Sequence, residues 1–148
     1  ICRSPTAEGV ARALAEKQGV GHLFTFDSAG TIGYHSGEPP DQRAIAAAAR
    51  RGYDLALLRA RQVVEKDFFR FDHVLAMDRG HLKVLEKLCP PERRPGIALF
   101  LEYAGMAAED EVPDPYYGGP EGFDYVLSLV ENAASQLIRR LSGEMPRD

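Results

Sequence analysis

HVLAMDRGHLKVLEKL, residues 73–88, sets the plan of the chain. Val74, Leu75, Ala76 and Met77 form a continuous apolar run, the mark of a strand buried on both faces. A helix over Arg79–Leu88 follows it directly. A buried strand handing over to a helix is the unit from which parallel α/β sheets are built.

Working outward, the same alternation recurs. LFTFDSAG (23–30) alternates apolar and polar residues and predicts a strand ending at Gly30, and IALFL (97–101) predicts another. RARQVVEKDFFRF (59–71) reads as a short extended piece and then a short helix. Ser4 and Pro5 read as N-cap and first residue of a helix, with Ala7, Val10, Ala11 and Leu14 on one face and Gly19 and Gly21 as its stop. Pro39, Pro40 and Asp41 lead into a helix over Gln42–Arg51, stopped by Gly52. Phe123, Val126, Leu127, Val130, Ala133, Ala134, Leu137, Ile138 and Leu141 keep a helical stripe to near the end of the chain. Two long loops, TIGYHSGEPPD (31–41) and AAEDEVPDPYYGGPEG (107–122), interrupt the pattern. The expected fold is a single α/β domain over residues 1–148: a three-layer sandwich with a central parallel sheet of about four strands and helices on both faces. Ligands in such folds bind beyond the carboxyl ends of the strands. A helix opening near Pro5 should be fed by a strand, and residues 1–4 are too few to form one.

Composition narrows the function. The 148 residues are 45% hydrophobic and 27% charged, with a net charge of −4, which suits one ordinary domain with a core of its own. No basic stripe suggests a nucleic-acid partner, and no apolar run approaches the ~20 residues of a membrane span. Cys2 and Cys89 make neither a disulfide framework nor a zinc pattern, and the four histidines lack ligand spacing. No metal or cofactor is expected, and so few cysteines suit a reducing, cytoplasmic setting.

ICRSPTAE (1–8) opens on the features of an anion site. Free N–H groups and the helix dipole favour an anion at a helix N-terminus, and Arg3 adds a bidentate fork suited to phosphate. On these residues alone, a plain capped helix beside a surface arginine is the stronger reading.

The chain as a whole resembles the low-molecular-weight protein tyrosine phosphatases. ICRSP matches the second half of their phosphate loop, which reads Cys, any residue, Gly-Asn-Ile-Cys-Arg-Ser-Pro. DSAGT (27–31), GEPPDQRA (37–44), RARQV (59–63), FDHVLAMD (71–78) and VPDPYYGG (112–119) follow in the family's order. The resemblance implies the phosphatase-I-like version of the sandwich. It also implies hydrolysis of phosphotyrosine proteins or aryl phosphates through a phosphocysteine intermediate, releasing inorganic phosphate.

The family's nucleophile is the first cysteine of Cys-x5-Arg. Neither cysteine here can start that loop, since six positions after Cys2 comes Glu8 and six after Cys89 comes Pro95. By alignment Cys2 matches the family's second cysteine, so the nucleophile is expected four residues before Ile1. Residues 1–148 taken alone are then expected to be inactive.

The resemblance assigns the remaining roles. Arg3 is the phosphate clamp, Ile1 and Cys2 lend backbone N–H groups, and Ser4 supports the thiolate. Asp114, between Pro113 and Pro115, is the general acid and later the base. Tyr34, Tyr116 and Tyr117 wall a slot for a phenyl ring, and Ser28 and Asp78 support the framework. Leu58 stands where many members carry a histidine. Three alternatives stay open: a protein arginine phosphatase on the same fold, against which Ile1 argues; an arsenate reductase, for which only Cys89 lies near a redox segment; and a non-catalytic phosphate-binding module.

Overall fold

Val74–Ala76 (β1) runs parallel to Ile97–Leu99 (β2), with Val74 opposite Ile97 and Ala76 opposite Leu99. Helix α4, Arg79–Leu88, makes the crossover between them. The computed structural model describes residues 2–33, 36–106, 109–116 and 118–144. Ile1, Tyr34 and Tyr117, three of the expected site residues, lie outside these, as does His35.

Strand alternation distributes β1 between two cores. Val74 and Ala76 join Leu82, Leu85, Cys89, Phe68 and Leu99 on the α4 side. Leu75 and Met77 join the opposite core, built from Val10, Ala11, Leu101, Val130, Ile138 and their neighbours. That core belongs to α1 (Arg3–Lys17), α5 (Phe100–Tyr103) and α6 (Pro120–Glu144). A sheet with helices packed on both faces is therefore present, as the sequence predicts.

The nine apolar positions of the predicted C-terminal stripe, from Phe123 to Leu141, are all buried. Burying each large aliphatic residue contributes about 1.5–3 kcal/mol, so this stripe fixes α6 across α1 and α2 (Gln42–Arg50). Gly52 adopts φ +88 just beyond α2, a conformation that favours glycine and ends the helix. The short helix expected after the 59–66 stretch is α3, Asp67–Arg70.

Two expectations differ from the fold. About four strands are expected, whereas two form a ladder among the described residues. The predicted strand over 23–30 forms a single isolated parallel bridge, Gly30 to Gln62, outside the β1–β2 ladder. Its alternation survives, because Phe24 and Phe26 turn toward the α1–α6 core while Thr25 and Asp27 face out. Among the described residues its pairing does not continue beyond that bridge.

Helix α1 also begins earlier than Ser4–Pro5 implies. Cys2 occupies the N-cap position and no side chain caps this end. Ser4 is thus inside the first turn, not at its cap. Pro5 is tolerated as the third helical residue because N–H groups of the first turn have no acceptor within the helix. Among the described residues no helix is long and apolar enough to cross a membrane.

Candidate active site

Three chain segments converge at the carboxyl end of β1. Arg3 comes from the first residue of α1, Asp78 from the turn between β1 and α4, and Val112 and Asp114 from the loop before α6. Arg3 Nη1 donates to Asp78 Oδ2 at 2.7 Å and to the Val112 carbonyl at 2.9 Å. Its Nη2 faces Asp114 Oδ2 at 3.9 Å. The Arg3 side chain is only 12% exposed, so its direction is set by these partners. The guanidinium, held on one edge, stands at the N-terminal end of α1, where an incoming anion also meets free N–H groups.

Asp78 does two jobs. Oδ2 holds Arg3, and Oδ1 accepts from the His81 N–H at 2.8 Å, capping α4. Burial works to raise its pKa, but the His81 N–H and the Arg3 guanidinium outweigh it and hold the carboxyl below its ordinary value.

His81 has no role in the sequence reading, yet it touches both partners. Its Nδ1 lies 3.5 Å from Asp78 Oδ1 and its Nε2 lies 3.5 Å from Arg3 Nη2. Burial holds the imidazole below its ordinary value, with Asp78 opposing. A neutral ring carrying its proton on Nδ1 satisfies both contacts, leaving the Nε2 lone pair toward Arg3.

Asp114 is half exposed, and its Oδ1 accepts from the Tyr116 N–H at 3.0 Å. That local turn, between Pro113 and Pro115, orients the carboxylate and leaves Oδ2 toward Arg3. Tyr116 stands beside the site under the guanidinium of Arg43, 5.3 Å from its ring centroid. Arg43 also lies over Phe123 at 4.7 Å. Asp41 fixes Arg43 with two contacts at 3.1 and 3.0 Å while capping α2. Arg43 therefore braces an expected wall of the slot. The motif GEPPDQRA carried both residues, and the Asp41 helix cap was the one local signal that could have drawn attention to them.

Cys2 is 5% exposed and packs with Ala44, Ala47 and Phe123. Burial, reinforced by nearby Asp41, pushes its thiol up to about 11. It is a thiol at neutral pH, and this agrees with the spacing that excludes it as nucleophile. Burial also raises the Cys89 thiol, which lies in the other core and donates to the Pro90 carbonyl.

Ser28 reaches α1, donating to Glu8 Oε1 at 2.5 Å, while Glu8 Oε2 pairs with Arg12 at 2.7 Å. It thus ties the extended 23–30 segment to the second turn of α1. Ser4 is half-buried beside Arg3, and Leu58 is half-buried with a side chain that carries no polar atom. Arg3, Asp78 and Asp114 are brought together; Ser28 acts one layer further back. Among the described residues no cluster of His, Cys, Asp or Glu is placed to hold a metal ion.

A family profile described as low molecular weight phosphotyrosine protein phosphatase matches residues 1–147. A low molecular weight protein-tyrosine-phosphatase of Streptomyces coelicolor is 47% identical over 141 residues, covering 93% of this chain and 85% of the relative. The human low molecular weight phosphotyrosine protein phosphatase is 36% identical, covering 85% of this chain and 80% of its own length. Among solved structures, a protein tyrosine phosphatase from Entamoeba histolytica with Hepes in its active site superposes with a TM-score of 0.92 at 36% identity, covering 98% of this chain and 93% of the other. Vibrio vulnificus Wzb, in complex with benzylphosphonate, superposes with a TM-score of 0.81 at 29% identity, covering 95% and 91%. With residues 1–147 matched and its fold shared, the chain belongs to the low molecular weight phosphotyrosine protein phosphatase family.

Proposed function

We propose that the Arg3–Asp114 pair is the phosphate clamp and general acid of a phosphotyrosine hydrolase working through a phosphocysteine intermediate. The observation that carries this is geometric. A guanidinium fixed at a helix N-terminus faces a carboxylate oxygen 3.9 Å away, on a loop edged by Tyr116. Phosphotyrosine hydrolysis is the activity of the family; the residue roles are the proposal.

The phosphoryl oxygens take the free edge of Arg3 and the N–H groups at the head of α1. A thiolate, supplied by the cysteine expected four residues before Ile1, attacks phosphorus. The S–P bond forms as the P–O bond breaks, and Asp114 passes its proton to the departing phenolic oxygen. The Asp114 carboxylate then takes a proton from water, which attacks phosphorus. The S–P bond breaks, inorganic phosphate leaves, and the Ser4 hydroxyl supports the returning thiolate. Tyr116 edges the slot for the phenyl ring, a role the family resemblance gives also to Tyr34 and Tyr117, while Asp78 and Ser28 hold the framework. The benzylphosphonate bound by a relative supports an aromatic ring next to the phosphate position. Phosphoproteins of a reducing cytoplasm fit a reaction that depends on a free thiolate.

The test is hydrolysis of matched phosphotyrosyl, phosphoseryl and phosphoarginyl peptides by the full-length protein. Phosphotyrosine should be strongly preferred, and Arg3→Ala should lower kcat/KM by about a hundredfold or more, the usual cost of losing one preorganised charge-stabilising donor. Preference for phosphoarginine, or full activity in Arg3→Ala, would overturn the assignment.

A further inference from the structure

We propose that Arg79, the first residue of α4, is a positioning residue that latches the acid-bearing loop to the mount holding the phosphate clamp. The proposal rests on Asp114 being the general acid. The three consecutive carboxylates at 109–111 look like ordinary loop acids in the sequence, but all three are held, two of them by Arg79. The Glu111 carboxylate accepts from the Arg79 backbone N–H at 2.6 Å. The Asp110 carboxylate pairs with the Arg79 guanidinium. Glu109 accepts from the Tyr125 hydroxyl of α6. One step further along, the Val112 N–H donates to the Met77 carbonyl at 2.8 Å, and the Val112 carbonyl accepts from Arg3.

Met77, Asp78 and Arg79 are therefore one continuous mount. Met77 and Arg79 grip loop residues 110–112, and Asp78 between them grips Arg3. Asp114 follows Val112 by two residues, with Pro113 limiting the slack between. The Glu111 carboxylate also lies at the positive end of the α4 dipole, which strengthens this grip. The Arg79 and Asp110 side chains are about half exposed, so their pair adds little to global stability. Its effect falls on the aim of the carboxylate two to four residues away.

The test is kcat/KM, which reports the first phosphoryl transfer, across a series from nitrophenyl phosphate to phenyl phosphate. The full-length protein is compared with Arg79→Ala, Asp110→Asn, Glu111→Ala and the Arg79→Ala/Glu111→Ala double variant, with Asp114→Asn as reference. Each single variant should lose about two- to fivefold with phenyl phosphate, the scale of an exposed pair. The double variant should lose about tenfold, and nitrophenyl phosphate should change less than twofold. Arg79→Lys should recover most of the loss, and high salt should mimic Arg79→Ala in the parent but not in that variant. Agreement between Arg79→Ala and Asp110→Asn, at unchanged Tm, excludes a folding defect. If Asp114→Asn is sensitive to the leaving group while the latch variants follow the parent line, the latch is overturned and the acid stands. If Asp114→Asn itself loses equally with all leaving groups, the acid reading fails first.

Discussion

Arg3 and Asp78 are 75 positions apart in sequence and 2.7 Å apart in the fold. The contact joins the first helix to the carboxyl end of β1, and the same carboxylate caps α4 through its other oxygen. One residue thus sets the direction of the guanidinium and the start of the helix beneath it.

The two jobs of Asp78 can be separated. Asparagine retains a side-chain oxygen for the His81 N–H but removes the charge facing Arg3. Asp78→Asn should keep Tm within a few degrees and lower kcat/KM at least tenfold. Asp78→Ala should lose the cap as well, about 1 kcal/mol, or roughly 2–4 °C for a domain of this size. Thermal melts and steady-state rates on both variants check this; equal rates in Asp78→Asn and the parent would contradict it.

His81 should leave a mark on the acid side. The groups facing it are Arg3 from α1, Asp78 on its own turn and Asp114 from the loop. Its folded-state value is depressed below 6.5, so unfolding takes up a proton in the interval just beneath that value. Its contribution is complete above about pH 6.5 and is lost as pH falls through the interval down to the folded value. In His81→Gln the decline of Tm between pH 7 and 5 should be shallower than in the parent. A protonated ring would also point an N–H at Arg3, so the acid limb of kcat/KM should shift in the variant. Parallel curves would count against both statements.

Cys2 titrates in the opposite sense. Its thiol is raised from 9.0 to about 11 on folding, so the folded state keeps a proton that the unfolded chain releases. The stability this contributes is complete below about pH 9 and is lost between pH 9 and 11. Cys2→Ala should flatten the fall in stability over that interval. At neutral pH, iodoacetamide should leave Cys2 unmodified in the folded protein, as mass mapping would show.

Much of this was legible in the sequence because the signals are local or periodic. The stripe from Phe123 to Leu141, the apolar run of β1 and the helix that follows it each depend on neighbours a few residues away. The strand over 23–30 was only half legible: alternation shows which faces Phe24 and Phe26 take, but a ladder needs a partner backbone that local sequence cannot show. Ser4 was misplaced as a cap because proline is tolerated at several positions of a first turn, not at one. Arg3 and Asp114 came from motif resemblance. His81, Arg43 and the Arg79 latch did not, because each acts through a tertiary contact, with partners 78, 73 and 31 residues away. No pattern in the sequence marks such pairs before the chain is folded.

The most direct test of the central claim is the leaving-group dependence of Asp114→Asn in the full-length protein. A general acid matters most when the departing oxygen is basic. The variant should lose about a hundredfold or more in kcat/KM with phenyl phosphate and far less with nitrophenyl phosphate. An equal loss with both, or no loss with either, would contradict the assignment of Asp114 as the acid opposite Arg3.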